Sequence, residues 1–240
     1  MRVKTDAQTG KPRRGLIRRV LRFCVRTVLF LVAMAMTWVL AYRVVDPPGG
    51  IYMASESWRL GGIKREWRAL DRISPHLVRA VIAAEDARFC DHSGFDFKAI
   101  RAALSANNGR RRFGASTITQ QVAKNVFLWH GRTWLRKGLE AGFTVLIELF
   151  WPKQRIVEIY LNTSEFAEGV FGAEAAARHH FRRRASALTR GQAARLAAVL
   201  PNPKGRDPNA PGGRLSRRIT AIAAGARTLA AGERADCALP

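Results

Sequence analysis

One stretch of the chain runs sixteen residues without a charge, and most of the rest repeats its apolar positions with a helical period. The charge-free stretch is Thr27–Tyr42, TVLFLVAMAMTWVLAY. A bilayer span needs about 20 apolar residues, and extension back to Val20 supplies them at the cost of Arg22 and Arg26. Both arginines then lie near one end, where long basic side chains snorkel to headgroups, and Trp38 and Tyr42 suit the far interface. Residues 20–42 therefore predict a transmembrane helix behind a basic cytoplasmic N-terminus, 1–19. A cleaved signal peptide is the competing reading, with Val39-Leu40-Ala41 as a tolerable cleavage context. Either way the remainder of the chain is expected outside the cytoplasm, because the basic flank stays inside.

After the break at DPPGG (Asp46–Gly50), residues 43–57 predict a linker. From about Trp58 the pattern is helical almost throughout. SPHLVRAVIAAEDARF opens with Ser74 as N-cap and Pro75 at the first helical position. GFDFKAIRAALSANN predicts a short helix with Phe97, Ile100, Ala103 and Leu104 on one face. The basic, glycine-bearing stretch Asn107–Ser116 predicts a mobile loop. STITQQVAKNVFL starts a further helix, and TWLRKGLEAGFTVLIELFW a long one ended by Pro152. KQRIVEIYLN, GVFGAEAAARHHF and TRGQAARLAAVL follow, then a turn-rich exit and a last helix from about Arg214. With no run of alternating strands, the expectation is an all-α body over 58–205, and a tail, 206–240, to which the pattern assigns no role.

Charge changes the picture less than location does. The 240 residues carry a formal net charge of +23, with 48% hydrophobic residues, enough to build a core. Such a chain is drawn to polyanions, but an exported body demotes nucleic acid as a partner. Cys24, Cys90 and Cys237 make no disulfide framework and no CxxC, so a metal site on them is not expected. A Cys90–Cys237 bridge is weighed as the lesser alternative.

The candidate chemistry lies in two acidic positions and one polar helix start. Leu77, Val81 and Glu85 are spaced by four, so Glu85 shares a stripe with the apolar face, and Asp86 follows Val78 and Ile82 on the next. A carboxylate desolvated there would have a raised pKa, suited to a general base or acid. If instead the helix ends at this point, both acids simply face water; spacing leaves these readings level. Arg136 and Glu140 are also spaced by four, in the weaker order for an ion pair, with Phe143 and Ile147 continuing the face. Thr117 and Gln120 have capping-box spacing, and Lys124 lies one turn beyond, so hydroxyls, amides and a cation gather at a helix start that favours anions. His92 reads as a loop-holding residue and His179/His180 as surface residues. Arg110–Arg112 read either as solvated charge or as a guide for an anionic ligand.

Together these residues resemble glycosyltransferase family 51, the peptidoglycan glycosyltransferases. E-D-x-x-F-x-x-H-x-G appears as Glu85, Asp86, Phe89, His92 and Gly94. G-x-S-T-I-T-Q-Q runs complete from Gly114 to Gln121, followed by Lys124 and Asn125. R-K-x-x-E is Arg136, Lys137 and Glu140, and K-x-x-I-x-E-x-Y-L-N is Lys153, Ile156, Glu158, Tyr160, Leu161 and Asn162.

The resemblance implies a lysozyme-like helical lobe and a smaller membrane-associated lobe supplied in part by 97–115. It implies inverting polymerisation of lipid II on a lipid-linked growing glycan at the bacterial inner membrane, with undecaprenyl pyrophosphate released. Glu85 would be the general base and Glu140 the second essential acid. Lys124, Arg136 and Lys137 would compensate the pyrophosphate. Ser116, Thr117, Gln120, Gln121 and Asn125 would line the groove, with Asp86, Phe89, His92, Gly94 and Gly114 in support. A divalent metal, Mg2+ or Mn2+, held with help from Glu140 stays open beside a purely cationic clamp, and partners among cell-wall synthesis or division proteins are compatible with it. The absence of Ser-x-x-Lys and Lys-Thr-Gly points to the monofunctional type. A lysozyme-like glycan-cleaving enzyme and a non-enzymatic membrane-tethered scaffold are the competing functions.

Overall fold

The computed structural model describes residues 13–106, 116–131 and 133–240. The expected loop lies almost wholly outside them, and with it Arg110–Arg112 and Gly114. Among the described residues the architecture is helical, in accord with the pattern, with one small sheet that the pattern did not show. Strands β1 (Lys64–Arg65), β2 (Glu165–Ala167) and β3 (Val170–Phe171) are ordered β1-β3-β2, β1 parallel and β2 antiparallel to β3. Strands of two or three residues are too short to show an alternating pattern.

The N-terminal helix α1 (Arg13–Val44) contains a candidate span, Ile17–Val44, whose most apolar 18 residues have mean hydropathy 2.0. At 1.5 Å per residue, 28 residues span about 42 Å. Its C-terminal end is fastened to the body. The Trp151 indole donates to the Val39 carbonyl at 2.8 Å, and Arg155 donates to the carbonyls of Tyr42 (3.0 Å) and Val45 (2.8 Å). Trp38 packs edge-on against Phe127, centroids 5.1 Å apart. The expected linker is partly helical: α2 (Ile51–Leu60) buries Met53 and Glu56, and Glu56 is held by Arg59 and Lys204. It ends on Gly61 at φ 69°, a left-handed cap that glycine adopts without Cβ strain.

Helix α3 (Pro75–Glu85) starts as its sequence predicts, with Ser74 Oγ accepting from the His76 N–H and Pro75 at the first position. Leu77, Val78, Ala80, Val81 and Ile82 are all buried, each large one contributing about 1.5–3 kcal/mol. The chain then passes through a 3-10 turn at Phe89–Asp91 into α4 (Phe97–Ala106). Ile100 and Ala103 of its predicted apolar face are partly buried, but Phe97 is exposed.

Helix α5 (Ile118–Phe127) carries the predicted capping box: Thr117 Oγ1 accepts from the Gln120 N–H and Gln120 Oε1 from the Thr117 N–H. It lies between α6 (Trp134–Phe150) and α7 (Lys153–Thr163). Pro152 separates those two because it cannot donate to the α6 ladder. α7 is the central helix, burying Ile156, Val157, Ile159, Tyr160 and Leu161. Asn162 pins it by exchanging hydrogen bonds with the Arg68 backbone, accepting at 2.8 Å and donating at 2.8 Å. Helices α8 (Ala173–Phe181) and α9 (Arg190–Val199) complete the core.

The tail, to which the pattern assigned no role, packs as part of this body. Helix α10 (Gly213–Ala231) packs on α3 and α9. A 3-10 turn at Asp236–Ala238 then brings Cys237 to Cys90, and the two form a disulfide. The lesser alternative for the cysteines is thus the one observed; 147 residues of separation gave the sequence no means of favouring it.

Candidate active site

The two predicted acids do not share a fate. Helix α3 ends at Glu85, and Asp86 is its C-cap, with φ −161° and ψ 70°. The ending that would have solvated both carboxylates therefore occurs, yet Glu85 stays only 14% exposed in its side chain, because α5 and α10 close over it. Gln121 Nε2 donates to Glu85 Oε2 at 3.0 Å, and Arg218 Nη2 donates to Oε1 at 3.2 Å. Burial raises the Glu85 pKa, against the lowering influence of the Gln121 hydrogen bond and of Arg218, Lys124 and Arg206. Desolvation wins, and a carboxylate of raised pKa is a stronger base once ionised.

Asp86 turns inward and works as a fastener. Its Oδ1 meets His92 Nε2 at 2.8 Å and its Oδ2 accepts the Ile118 N–H at 3.0 Å. It thereby ties the end of α3 to the N-terminus of α5, where free N–H groups favour a carboxylate. Phe89 is fully buried beneath the Lys153 ammonium, 4.3 Å from the ring centroid, and Lys153 Nζ also donates to the His92 carbonyl at 2.7 Å. Gly94 has φ 83°, and a Cβ there would sit 2.6 Å from Thr144 Cγ2. Its carbonyl accepts from Thr117 Oγ1 at 2.7 Å. Four residues of this motif are thus structural supports for the fifth, Glu85.

Two adjoining cavities form the groove. One, of about 340 Å³, is lined by Glu85, Asp86, Arg88, Ser116 and Thr117 among others. The second, of about 710 Å³, is lined by Ser116, Gln120, Gln121, Lys124, His130, Arg136, Lys137 and Glu140. Ser116 borders both, so the carboxylate end and the cationic end meet there. Asn125 opens with Lys124, Tyr160 and His130 onto a third recess beside them.

In the cationic end, Glu140 is buried and clamped. Arg136 Nη1 donates to its Oε2 at 2.6 Å, and Lys137 Nζ contacts its Oε1. The Arg136 Nε also donates to the Gly131 carbonyl at 2.7 Å, which fixes the guanidinium. Lys124 has its pKa lowered chiefly by burial, with Arg136 and Lys137 acting in the same direction and Glu140 against them. The i,i+4 pair is therefore not a surface ion pair, the bland reading of its spacing, but a buried pair joined by the more exposed Lys137, with net positive charge.

Neither acidic group presents a free metal-ligand set. Glu140 already has two cations on its carboxylate and a third, Lys124, close by, and a divalent ion would add to that repulsion. Asp86, His92 and Asp96 bring ligand atoms within 4.8 Å of one another. Yet Asp86 is spent on His92 and Ile118, and Asp96 accepts the Ala99 N–H and pairs with Arg88 at 3.4 Å. The residues present do not fit a resident metal, and no step is assigned to one.

Sequence reasoning missed Arg218 and His130. Arg218 sits in the tail, outside every motif, and no local signal marks it. His130 lines the cationic cavity and stacks on Tyr52, ring centroids 3.8 Å apart. Burial, with Lys124 and Arg136 adding, lowers its pKa to about 4, so it is neutral at pH 7. Its only sequence signal is a position six residues before Arg136.

A family model described as Transglycosylase matches residues 55–226, which takes in Arg218 and most of α10. The biosynthetic peptidoglycan transglycosylase of Jannaschia sp. (strain CCS1) is 52% identical over 224 residues, covering 93% of this chain and 92% of that protein. The protein of the same name from Xanthomonas campestris pv. campestris (strain B100) is 50% identical over 232 residues, covering 93% and 94%. That of Rhodospirillum centenum (strain ATCC 51521 / SW) is 51% identical over 209 residues, covering 86% and 89%.

Proposed function

The chain belongs to the transglycosylase family and is a glycosyltransferase, and from that premise we propose that it polymerises lipid II by an inverting displacement with Glu85 as the base. The observation that carries this reading is the groove itself. A desolvated carboxylate at one end and the Lys124, Arg136 and Lys137 cations at the other adjoin at Ser116.

Glu85 takes the proton of the acceptor N-acetylglucosamine 4-hydroxyl. The oxygen of that hydroxyl forms a bond to the anomeric carbon of the lipid-linked donor glycan as the bond from that carbon to the pyrophosphate oxygen breaks. The α-linkage becomes β-1,4, and undecaprenyl pyrophosphate leaves with the bonding electrons. One displacement without a covalent intermediate needs one base and a stabilised leaving group, as in the inverting geometry for sugars. Negative charge grows on the pyrophosphate in the transition state, where preorganised cations act most strongly. Glu140 holds Arg136 and Lys137 in place for that purpose. Gln121 orients Glu85, while Ser116, Thr117, Gln120 and Asn125 line the groove for sugar and phosphate.

The membrane reading rests on α1 and α6. The apolar run of α1 is 6% buried within the protein. On α6, Trp134, Leu135, Leu139, Val145 and Leu149 are 40–93% exposed. Apolar faces of that extent mark an interaction surface, and a bilayer beside a retained span would cover both. The bonds from Trp151 and Arg155 to the end of α1 favour retention over cleavage at Val39–Ala41. The chain would then be single-pass in the inner membrane with its catalytic body on the periplasmic side. The monofunctional reading is supported by the match over 92–94% of the Jannaschia and Xanthomonas relatives.

The deciding experiment is a chain-growth assay with lipid II on the full chain and on Glu85→Gln. Polymer from the former and none from the folded variant is expected. Cleavage of finished glycan without chain growth would replace this reading by a lytic one.

A further inference from the structure

At the opposite end of α3 from Glu85, a second cavity of about 570 Å³ opens between α3, the start of α9 and the second half of α10. Its volume lies in the range of small-ligand sites. The cavity exists because of residue size. Ala83 and Gly225 bring α3 and α10 into contact, and a Cβ on Gly225 would sit 3.2 Å from that of Ala83. Beyond this contact α10 presents Ala223, Ala226 and Ala230 to the gap, and none is large enough to fill it.

The polar lining is cationic. His76, Arg79, Arg190 and Arg227 border the cavity, and no carboxylate does. Among the described residues none of these arginines has an acid within 4 Å, although Arg59, Arg68, Arg88, Arg136, Arg155, Arg178 and Arg218 all do. Arg79 Nε is buried without a hydrogen-bond partner, a donor left unpaired at a cost. The His76 pKa is lowered by burial and then by Arg190 and Arg79, so the imidazole stays neutral in this field. The cavity also adjoins the N-termini of α3 and α9, whose first N–H groups add positive potential. Like charges, an unpaired donor and an apolar floor of small residues together are relieved by one class of ligand: several carboxylates on an aliphatic body.

We propose that this cavity binds a short acidic peptide carrying two or more carboxylates and, resting on the function proposed above, that the peptide is one borne by the glycan. His76 and Glu85 lie nine residues apart on one helix, about 14 Å. That separation lets a peptide on a unit near the reacting end reach the cavity while the sugar occupies the groove.

The test is calorimetric titration of the detergent-solubilised full chain with triglutamate, triglycine and inorganic phosphate. Saturable binding of triglutamate is expected, with none of triglycine. Arg190→Ala/Arg227→Ala, at two exposed positions, should weaken it at least tenfold with the thermal midpoint unchanged. Arg101→Ala/Arg183→Ala removes the same charge away from the cavity and should change it less than twofold. Peptide-bearing glycan fragments should bind more weakly to Arg190→Ala/Arg227→Ala than to the unaltered chain, whereas peptide-free ones, held only by the groove, should not. Absence of saturable triglutamate binding, equal loss in the two double variants, or binding of phosphate or of peptide-free glycan that depends on Arg190 and Arg227 as strongly as triglutamate binding does would each overturn the proposal. None of these measurements uses turnover, so failure of the polymerase reading and failure of this site are distinguishable.

Discussion

Glu85 and Glu140 are both largely buried glutamates bordering one groove, and their surroundings give them opposite properties. Glu85 ends α3 with one amide, Gln121, and one guanidinium, Arg218 at 3.2 Å, as partners, and burial outweighs both so that its pKa rises. Glu140 lies inside α6 with Arg136 at 2.6 Å and Lys137 in contact, so its charge is fully matched. The first is a carboxylate whose burial outweighs its compensation; the second is a counter-ion to two cations beside the groove. The lesson is that burial alone does not make a carboxylate reactive. What separates the two is whether positive charge came with the burial.

The largest effect expected from that contrast is on turnover. Glu85→Gln should lower the polymerisation rate about 10³-fold or more, the upper part of the range for removal of a general base. The fold should remain. Because the folded-state pKa of Glu85 is raised, the ionised group opposes folding above that pKa and is neutral toward it below the unfolded value. The thermal midpoint of Glu85→Gln should therefore equal or exceed that of wild type at pH 7, with the difference vanishing near pH 4. A lowered midpoint at pH 7 would mean that Glu85 is a structural ion-pair member.

Glu140→Gln should show the reverse. It leaves Arg136 buried and unpaired, a change that costs about 3 kcal/mol in buried pairs. Denaturant titration should reveal the loss directly, and polymerisation should fall roughly 10²-fold as the cations lose their geometry. Equal stability with full activity would remove Glu140 from the clamp.

Next in size is the disulfide. In the chain-entropy account a bond closing a loop of 147 residues stabilises by about 5 kcal/mol, and measured cases more often give about 2–4. Cys90→Ser/Cys237→Ser should lower the thermal midpoint clearly while leaving most activity at low temperature, because neither cysteine lines the groove. If activity vanishes with the fold intact, the bond also positions the motif around Asp86 and His92.

The smallest and sharpest test concerns Arg218. Its cation lowers the Glu85 pKa, so Arg218→Ala should move the acid limb of kcat/KM to higher pH. The rate at neutral pH should fall several-fold and recover on the alkaline plateau, and Arg218→Lys should restore most of the profile. A uniform loss at all pH values would show that Arg218 serves something other than the ionisation of Glu85.

Much of this was legible in the linear pattern, for reasons that are local. The cap at Ser74 and Pro75, the capping box at Thr117 and Gln120 and the break at Pro152 each depend on residues within one helical turn. The span of α1 depends on a run of apolar side chains. Glu85, Lys124, Arg136, Lys137 and Glu140, which the motifs singled out, all line the two adjoining cavities. The last helix was legible too, close to its observed start at Gly213, but its contacts were not, because they are remote: Arg218 meets Glu85 across 133 residues.

The sequence by itself therefore determined the helices, their caps, the apolar run of α1 and which polar side chains gather at the groove. These follow from short-range sterics, backbone hydrogen bonding and the transfer of apolar groups from water. Only the tertiary structure decided which acid is desolvated with its pKa raised. Helical spacing left Glu85 level between a solvated helix end and a desolvated catalyst, and helix α3 does end there. Desolvation is set by what covers a group, and the cover comes from α5 and α10, which reach Glu85 through the fold and not along the chain.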